Sequence, residues 1–145
     1  MIELLTVMGI TGILAVIAVP SFSSLTASQR AKTVAAELFE SLLKTRSEAI
    51  KRNASVTVSP NSGAWVNGWQ VLDPVNAANV LDSRGAATAV TITGPSAVTY
   101  RASGRVLAGS AASFLVTATA GSSIIYECIS VDLTGRPYLV AASTC

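Results

Sequence analysis

An α+β fold is predicted for this chain of 145 residues: a long N-terminal helix, apolar in its first part and amphipathic in its second, packed on an antiparallel β-sheet or sandwich. Three observations predict it. Residues 1–20 carry a single charged residue, Glu3, and no other charge appears before Arg30. Residues 21–53 place apolar side chains at alternating steps of four and three, the period of one helix face. Residues 54–145 break into short runs rich in Val, Ile and Thr, separated by Gly, Pro, Asn and Ser.

The first segment, 1–20, is expected to lie in a membrane or in the core of a filament. About 20 apolar residues in helical form are roughly 30 Å long and match a bilayer core. A carboxylate at that depth is costly and marks a functional residue with a partner. Glu3 also suits the first turn, near water, where the positive end of the helix dipole favours it. Both readings of Glu3 stand on these residues. A cleaved signal peptide fits poorly, because no basic residue precedes the apolar run and Pro20 follows Val16-Ile-Ala18. As a plain anchor, the segment is flanked by Arg30 and Lys32 on its C-terminal side only, which holds the rest of the chain in the cytoplasm under the positive-inside rule. Basic residues preceding Met1 would reverse that orientation.

Pro20 lies inside the helical pattern. It removes one backbone hydrogen bond and is expected to kink the rod without ending it, since the periodicity resumes beyond. Ala31, Ala35, Leu38, Leu42, Thr45 and Ala49 form the stripe of the segment 21–53, widened by Val34, Phe39 and Ile50. Most charges lie off it. Glu40 to Lys44 and Glu48 to Arg52 are i,i+4 pairs in the favourable order, basic residues in the last turn suit the dipole, and Asn53 is expected to cap the end.

The third segment, 54–145, reads as a β-rich head. Residues 54–59 alternate around Val56 and Val58, and Pro60-Asn-Ser-Gly63 is a turn. A strand over 64–72 carries Trp65 and Trp69. Residues 73–84 are expected to be an irregular connection with a short strand near Val80. Further strands are expected over 88–93, 98–101, 113–119, 123–131 and 138–141, at a spacing that suits an antiparallel meander or sandwich.

Composition narrows the chemistry. Half the residues are apolar, 12% are charged and the net charge is +2. The basic excess sits on the amphipathic helix, and charges in the head balance. There is no histidine and there are two cysteines, Cys128 and Cys145, whose spacing is not Cys-x-x-Cys. These suit a disulfide and an oxidising compartment better than a zinc site, and closing that loop contributes about 3 kcal/mol in the chain-entropy model. The eight carboxylates form no obvious pair, and Ser41-Leu-Leu-Lys44 lacks the companion motifs of serine acyl-enzymes. Lys44 is accounted for as the helical partner of Glu40. No enzyme, cofactor or metal is expected. No glycine-rich phosphate loop or basic run with interleaved aromatics is present, and Arg101, Arg105 and Arg136 would contact phosphates only if the fold gathers them.

Ile2-Glu-Leu-Leu, the apolar run, Ala18-Val-Pro20 and the amphipathic continuation resemble the N-terminal helix of type IV pilins and type II secretion pseudopilins. Arg46-Ser-Glu-Ala-Ile-Lys-Arg-Asn53, Trp65-Val-Asn-Gly-Trp69 and Val131-Asp-Leu-Thr-Gly-Arg136 resemble the FimU/FimT/GspH group of minor subunits within that superfamily. The resemblance implies a prepilin held in the bacterial inner membrane by a single span with its head in the periplasm. A prepilin peptidase cleaves and N-methylates such precursors, which are then extracted into a pilus or periplasmic filament at the cell surface. The partners implied are other minor and major pilins, met through the N-terminal helix. Glu3 aligns with the glutamate that pairs with the N-terminus of an adjacent subunit, and Pro20 with the proline that kinks the helix.

The match departs at its start. The cleavage-site glycine and the first two mature residues are missing, and Met1 stands where an aliphatic residue is usual, so the sequence is expected to be trimmed or to begin too late. Among the roles of the group, the expectation is a minor pilin that primes assembly and sits at or near the pilus tip, serving adhesion and twitching motility. Cys128 and Cys145 resemble the C-terminal disulfide loop of pilins and favour this role over its alternative, a GspH-type pseudopilin of type II secretion. A second alternative is DNA binding in natural transformation, which some FimT-type subunits perform through Gly-Arg-x-Arg. Here Gly135-Arg136-Pro137-Tyr138 lacks the second arginine.

Overall fold

The computed structural model describes residues 2–76, 78–107 and 112–145, with the backbone alone for residues 15–21. One helix, α1 (Ile2–Arg52), begins with Glu3 in its first turn and ends with Lys51 and Arg52 in its last. It is continuous through Pro20; that proline's side chain and the whole of Met1 lie outside the described residues. Asn53 ends the helix in the left-handed region (φ 49°), which asparagine tolerates better than most residues. Its N–H donates to Ile50 O and that of Ala54 to Ala49 O, both at 3.2 Å. These two bonds are the Schellman pair that satisfies the last carbonyls of a helix.

Two antiparallel sheets pack against the second half of α1. The strands are β1 (Val56–Pro60), β2 (Trp69–Leu72), β3 (Val80–Arg84), β4 (Thr91–Thr93), β5 (Val98–Tyr100), β6 (Ser113–Ala120), β7 (Ser123–Val131) and β8 (Pro137–Val140). One sheet has the order β3-β2-β1-β5 and the other β4-β6-β7-β8. The helix stripe of Ala27, Ala31, Ala35, Leu38, Leu42 and Ala49 is buried against Val56, Val58, Val71 and Val98 of the first sheet and Phe114, Val116, Ile129 and Val131 of the second. Alternation along β1, β2, β5 and β6 sends every second side chain into this core. The alanines let the helix backbone approach the strands.

The segment 73–84 carries the short strand expected near Val80, since β3 begins there, runs to Arg84 and pairs along β2. Two ion pairs also tie β3 to the helix. Lys44 Nζ meets Asp82 Oδ1 at 2.9 Å, and Arg84 Nη2 meets Glu40 Oε2 at 3.1 Å. The expected pairing of Glu40 with Lys44 is therefore replaced by two contacts from the helix to β3. Glu48 does pair with Arg52, at 2.7 Å, and Arg52 also reaches Asp73 at 3.0 Å.

The expected strand over 64–72 is divided. Trp65–Asn67 forms a 3-10 turn, Gly68 takes φ 90°, and the strand begins only at Trp69. A Cβ at Gly68 would overlap the backbone of Arg84 and Gly85, so the strand crossing there requires glycine. Pro60, expected in a turn, closes β1 opposite Trp69. The expected strand over 88–93 shortens to β4.

Inside the core, the Trp69 indole N–H donates to Ser41 Oγ at 2.9 Å, and Thr45 Oγ1 donates to Ser41 O at 2.6 Å. Ser41 is fully buried. Its hydroxyl is spent on satisfying a buried tryptophan, while Lys44 points away to Asp82, so Ser41 and Lys44 form no nucleophile and base pair.

Candidate functional site

Among the described residues, chemistry is offered to the outside by the N-terminal part of α1 and by the opposite end of the head. Every side chain described between Ile2 and Leu14 is exposed, with Ile2 at 79% and Leu5 at 70%. The polar groups in this arm are already satisfied within it. Thr6 Oγ1 donates to Ile2 O at 2.8 Å and Thr11 Oγ1 to Val7 O at 2.7 Å, so apart from Glu3 the arm presents an apolar surface. Such a surface is stable in lipid or among other helices, and far less so in water. Glu3 enters no salt bridge among the described residues. Its carboxylate is open to a cation supplied by another molecule. Among the described residues no helix is long and apolar enough to cross a membrane; the apolar segment expected over 1–20 lies partly outside them.

At the far end of the head, two turns meet. In the turn after β7, Asp132 Oδ1 accepts from Thr134 Oγ1 at 2.6 Å and from the Arg136 N–H at 2.9 Å, and Gly135 N donates to Asp132 O at 2.9 Å. The Thr134 hydroxyl first, then the Arg136 backbone, holds the Asp132 carboxyl below the usual range. Gly135 takes φ 84° and abuts Gly104, where any Cβ would overlap Gly104 O. Arg46 of α1 spans both turns, with Nε donating to Gly104 O at 3.0 Å and Nη2 to Thr134 O at 3.4 Å. Beneath them Tyr100 is fully buried, with no hydrogen-bond partner for its hydroxyl. Burial pushes its pKa up, and the Arg46 charge opposes that rise.

The turn after β5 brings Arg101 and Arg105 together. Arg101 N donates to Arg105 O at 2.9 Å and Gly104 N to Arg101 O at 2.8 Å. Both arginines line a groove of about 380 Å³ with Ser103, Val106 and Leu133. Arg136 is exposed on the adjoining turn and does not line the groove. None of the three enters a salt bridge among the described residues.

Cys128 and Cys145 are joined by a disulfide, with their Cα atoms 5.6 Å apart. Cys128 lies on the face of β7 opposite Ile129, yet it is buried, because the C-terminal tail returns to cover it. Among the described residues, no group of His, Cys, Asp and Glu is placed to hold a metal ion. Sequence reasoning missed the clamp made by Arg46. The available signal was its place next to Thr45, at the border of the buried stripe rather than on the solvent face.

The family model described as Type II transport protein GspH matches residues 34–135. The fold is similar to that of the type IV minor pilin FimU from Pseudomonas aeruginosa (strain PAO1), with a TM-score of 0.63 and 20% identity over 82% of this chain and 92% of that one. A second crystal form of FimU gives a TM-score of 0.58 and 18% identity, over 75% and 91% of the two chains. The minor pseudopilin EpsH from the Type 2 Secretion System of Vibrio cholerae is similar too, with a TM-score of 0.60 and 14% identity over 77% of this chain and 97% of that one. No curated protein sequence matches.

Proposed function

The chain belongs to the GspH family within the type IV pilin and pseudopilin superfamily, as a structural subunit rather than an enzyme, and we propose that it is a minor type IV pilin that primes assembly at or near the pilus tip. The observation that carries this reading is the exposed apolar arm with a lone, unpaired carboxylate in its first turn. In this proposal residues 1–20 occupy the inner membrane before assembly and the filament core afterwards, 21–53 join arm to head, and 54–145 form the periplasmic head. Processing by a prepilin peptidase requires the full precursor. The Cys128–Cys145 link supports the pilus over the secretion filament. The test is to express the precursor, epitope-tagged, in a piliated host and probe sheared filaments. Recovery of the chain with the pili supports the reading, and its retention in the membrane fraction overturns it.

A second reading, DNA binding, is favoured by one observation: Arg101 and Arg105 share a groove and have no acidic partner within the described chain. Phosphate contacts of this kind weaken steeply with salt. Arg101→Ala with Arg105→Ala is expected to abolish retardation of duplex DNA at low salt, and Arg136→Ala to weaken it. An absence of retardation by the unaltered protein at low salt overturns this reading.

A further inference from the structure

The sheet β4-β6-β7-β8 has a notch on its β8 side, next to the tip of the β6–β7 hairpin. β7 runs from Ser123 to Val131 and pairs with β6 along nearly all of its length, but β8 pairs only with Cys128 to Val131 of it. After Val140 the tail leaves the edge and crosses the outer face of the sheet, where Cys145 bonds to Cys128 and its sulfur lies 3.1 Å from Phe114 O on β6. Among the described residues, no strand lies beside 123–127 on that side. The hairpin turns in two residues between Ala120 and Ser123, and Val131 N donates to Ala112 O at 2.8 Å. Odd-numbered residues of β7 therefore turn their N–H and C=O to β6, and even-numbered ones turn theirs away from it. Cys128 and Ser130 meet β8 in this way, whereas Ile124 and Tyr126 face the notch. Their N–H and C=O groups form a short open edge, which an extended strand satisfies.

The side chains beside the notch define what that strand carries. Glu127 lies opposite Val116, a core residue, so Glu127 and Ile125 stand on the face of the sheet toward α1. Glu127 is only 9% exposed, yet it enters no ion pair and no side-chain hydrogen bond among the described residues. A buried carboxylate is costly until a cation is brought to it. In an antiparallel addition, the residue opposite Ile125 stands on this same face and lies diagonal to Glu127, about 7–8 Å away, which a long side chain spans. A lysine or arginine there lays its stem on Ile125 and its charge at Glu127. The residues before and after it bond to Tyr126 and Ile124 and stand beside them on the outer face, where β-branched and aromatic side chains pack best. Among the described strands of this chain the one basic residue is Arg84, at the end of β3 and held by Glu40. A second copy therefore has no such strand to offer.

We infer that the notch is a docking edge for a strand of a different protein, in which a lysine or arginine stands between two β-branched or aromatic residues. Main-chain pairing at Ile124 and Tyr126 holds that strand, and Glu127 selects its basic residue.

The isotope-labelled full chain in detergent is titrated with the peptide Thr-Val-Lys-Val-Thr, blocked at both ends, while amide shifts and hydrogen exchange are followed by NMR. Without peptide, the amides of Ile124 and Tyr126 should exchange fast and those of Ile125 and Glu127 slowly. Peptide should slow exchange at Ile124 and Tyr126 at least about tenfold. Glutamate in place of the central lysine should weaken binding about tenfold, the scale of one charge-assisted hydrogen bond, and N-methylation of both valine amides should abolish it. Glu127→Gln should remove the preference for lysine while exchange at Ile125 stays slow, a sign that the ladder with β6 is intact. Slow exchange at Ile124 and Tyr126 in the dilute chain without peptide overturns the inference. Protection of these amides that grows with chain concentration makes a second copy the occupant and overturns it too. Equal affinity for the lysine and glutamate peptides, undiminished binding after N-methylation, or no shift with any peptide has the same consequence.

Discussion

The Arg46 guanidinium donates to the backbone carbonyl of Gly104 at 3.0 Å, across 58 residues of sequence, and so ties the helix to the turn after β5. Its second arm reaches Thr134 O in the turn after β7. One side chain therefore fixes one turn from each sheet to α1. Arg46→Ala leaves Gly104 O and Thr134 O without their charged donor, at a cost of about 1.5–3 kcal/mol. Arg46→Lys should recover part of that loss, because a single ammonium cannot reproduce the forked geometry. Thermal unfolding of the full chain in detergent measures both.

Much of this was legible in the sequence, and what was missed has a common cause. The helix, its buried stripe and its capping asparagine follow from local periodicity and backbone preference, which residues close in sequence determine. Strands β6 and β7 follow from β-branched runs in the same way. The partners of Lys44, Glu40 and Arg46 do not, because Asp82, Arg84 and Gly104 come from remote strands and turns. The i,i+4 rule named a partner for Lys44 within reach, and a β-strand alongside offered a better one. For the site, Glu3 and the apolar arm were visible as pattern, whereas the meeting of Arg101 with Arg105 depends on a tight turn at Gly104.

Gly135 tests the contact between the two turns. A side chain there meets both a positive φ of 84° and the backbone of Gly104. Gly135→Ala is expected to destabilise the head by more than about 1 kcal/mol, while Gly121→Ala, at φ 59° in an open turn with nothing within 4 Å, should cost less. Equal midpoints for the two variants in chemical denaturation would refute the contact.

Stability should fall on the acid side. The folded pKa values of Asp132, Asp73 and Glu48 are all lowered, by the Thr134 hydroxyl, the Val75 backbone N–H and the Arg52 guanidinium respectively. A lowered folded pKa gives stability that is complete above the unfolded value, about 3.9 for Asp and 4.3 for Glu, and lost as pH falls through the folded value. Denaturation midpoints should hold steady from pH 7 down to about pH 5 and decline below it. Asp132→Asn should flatten part of that decline.

Ser41 distinguishes a structural from a catalytic role. Ser41→Ala removes the acceptor of the buried Trp69 indole N–H and should cost about 1–3 kcal/mol. Lys44→Ala breaks a surface pair and should cost less than about 1 kcal/mol. Urea denaturation followed by tryptophan fluorescence reports both values, and a larger loss from Lys44→Ala would contradict the packing described.

The central claim is that the exposed arm builds the polymer and that Glu3 finds its cation on another subunit. Its most direct test is quantitative piliation in a host lacking its own minor subunit, complemented with the full precursor carrying either Glu3 or Glu3→Val. Valine keeps the arm apolar and helical and removes only the charge, so membrane levels of the precursor should be unchanged while surface pili fall at least about tenfold, the loss of one ion pair worth about 1.4 kcal/mol. Normal pilus numbers with the valine variant recovered in the filaments would contradict the account.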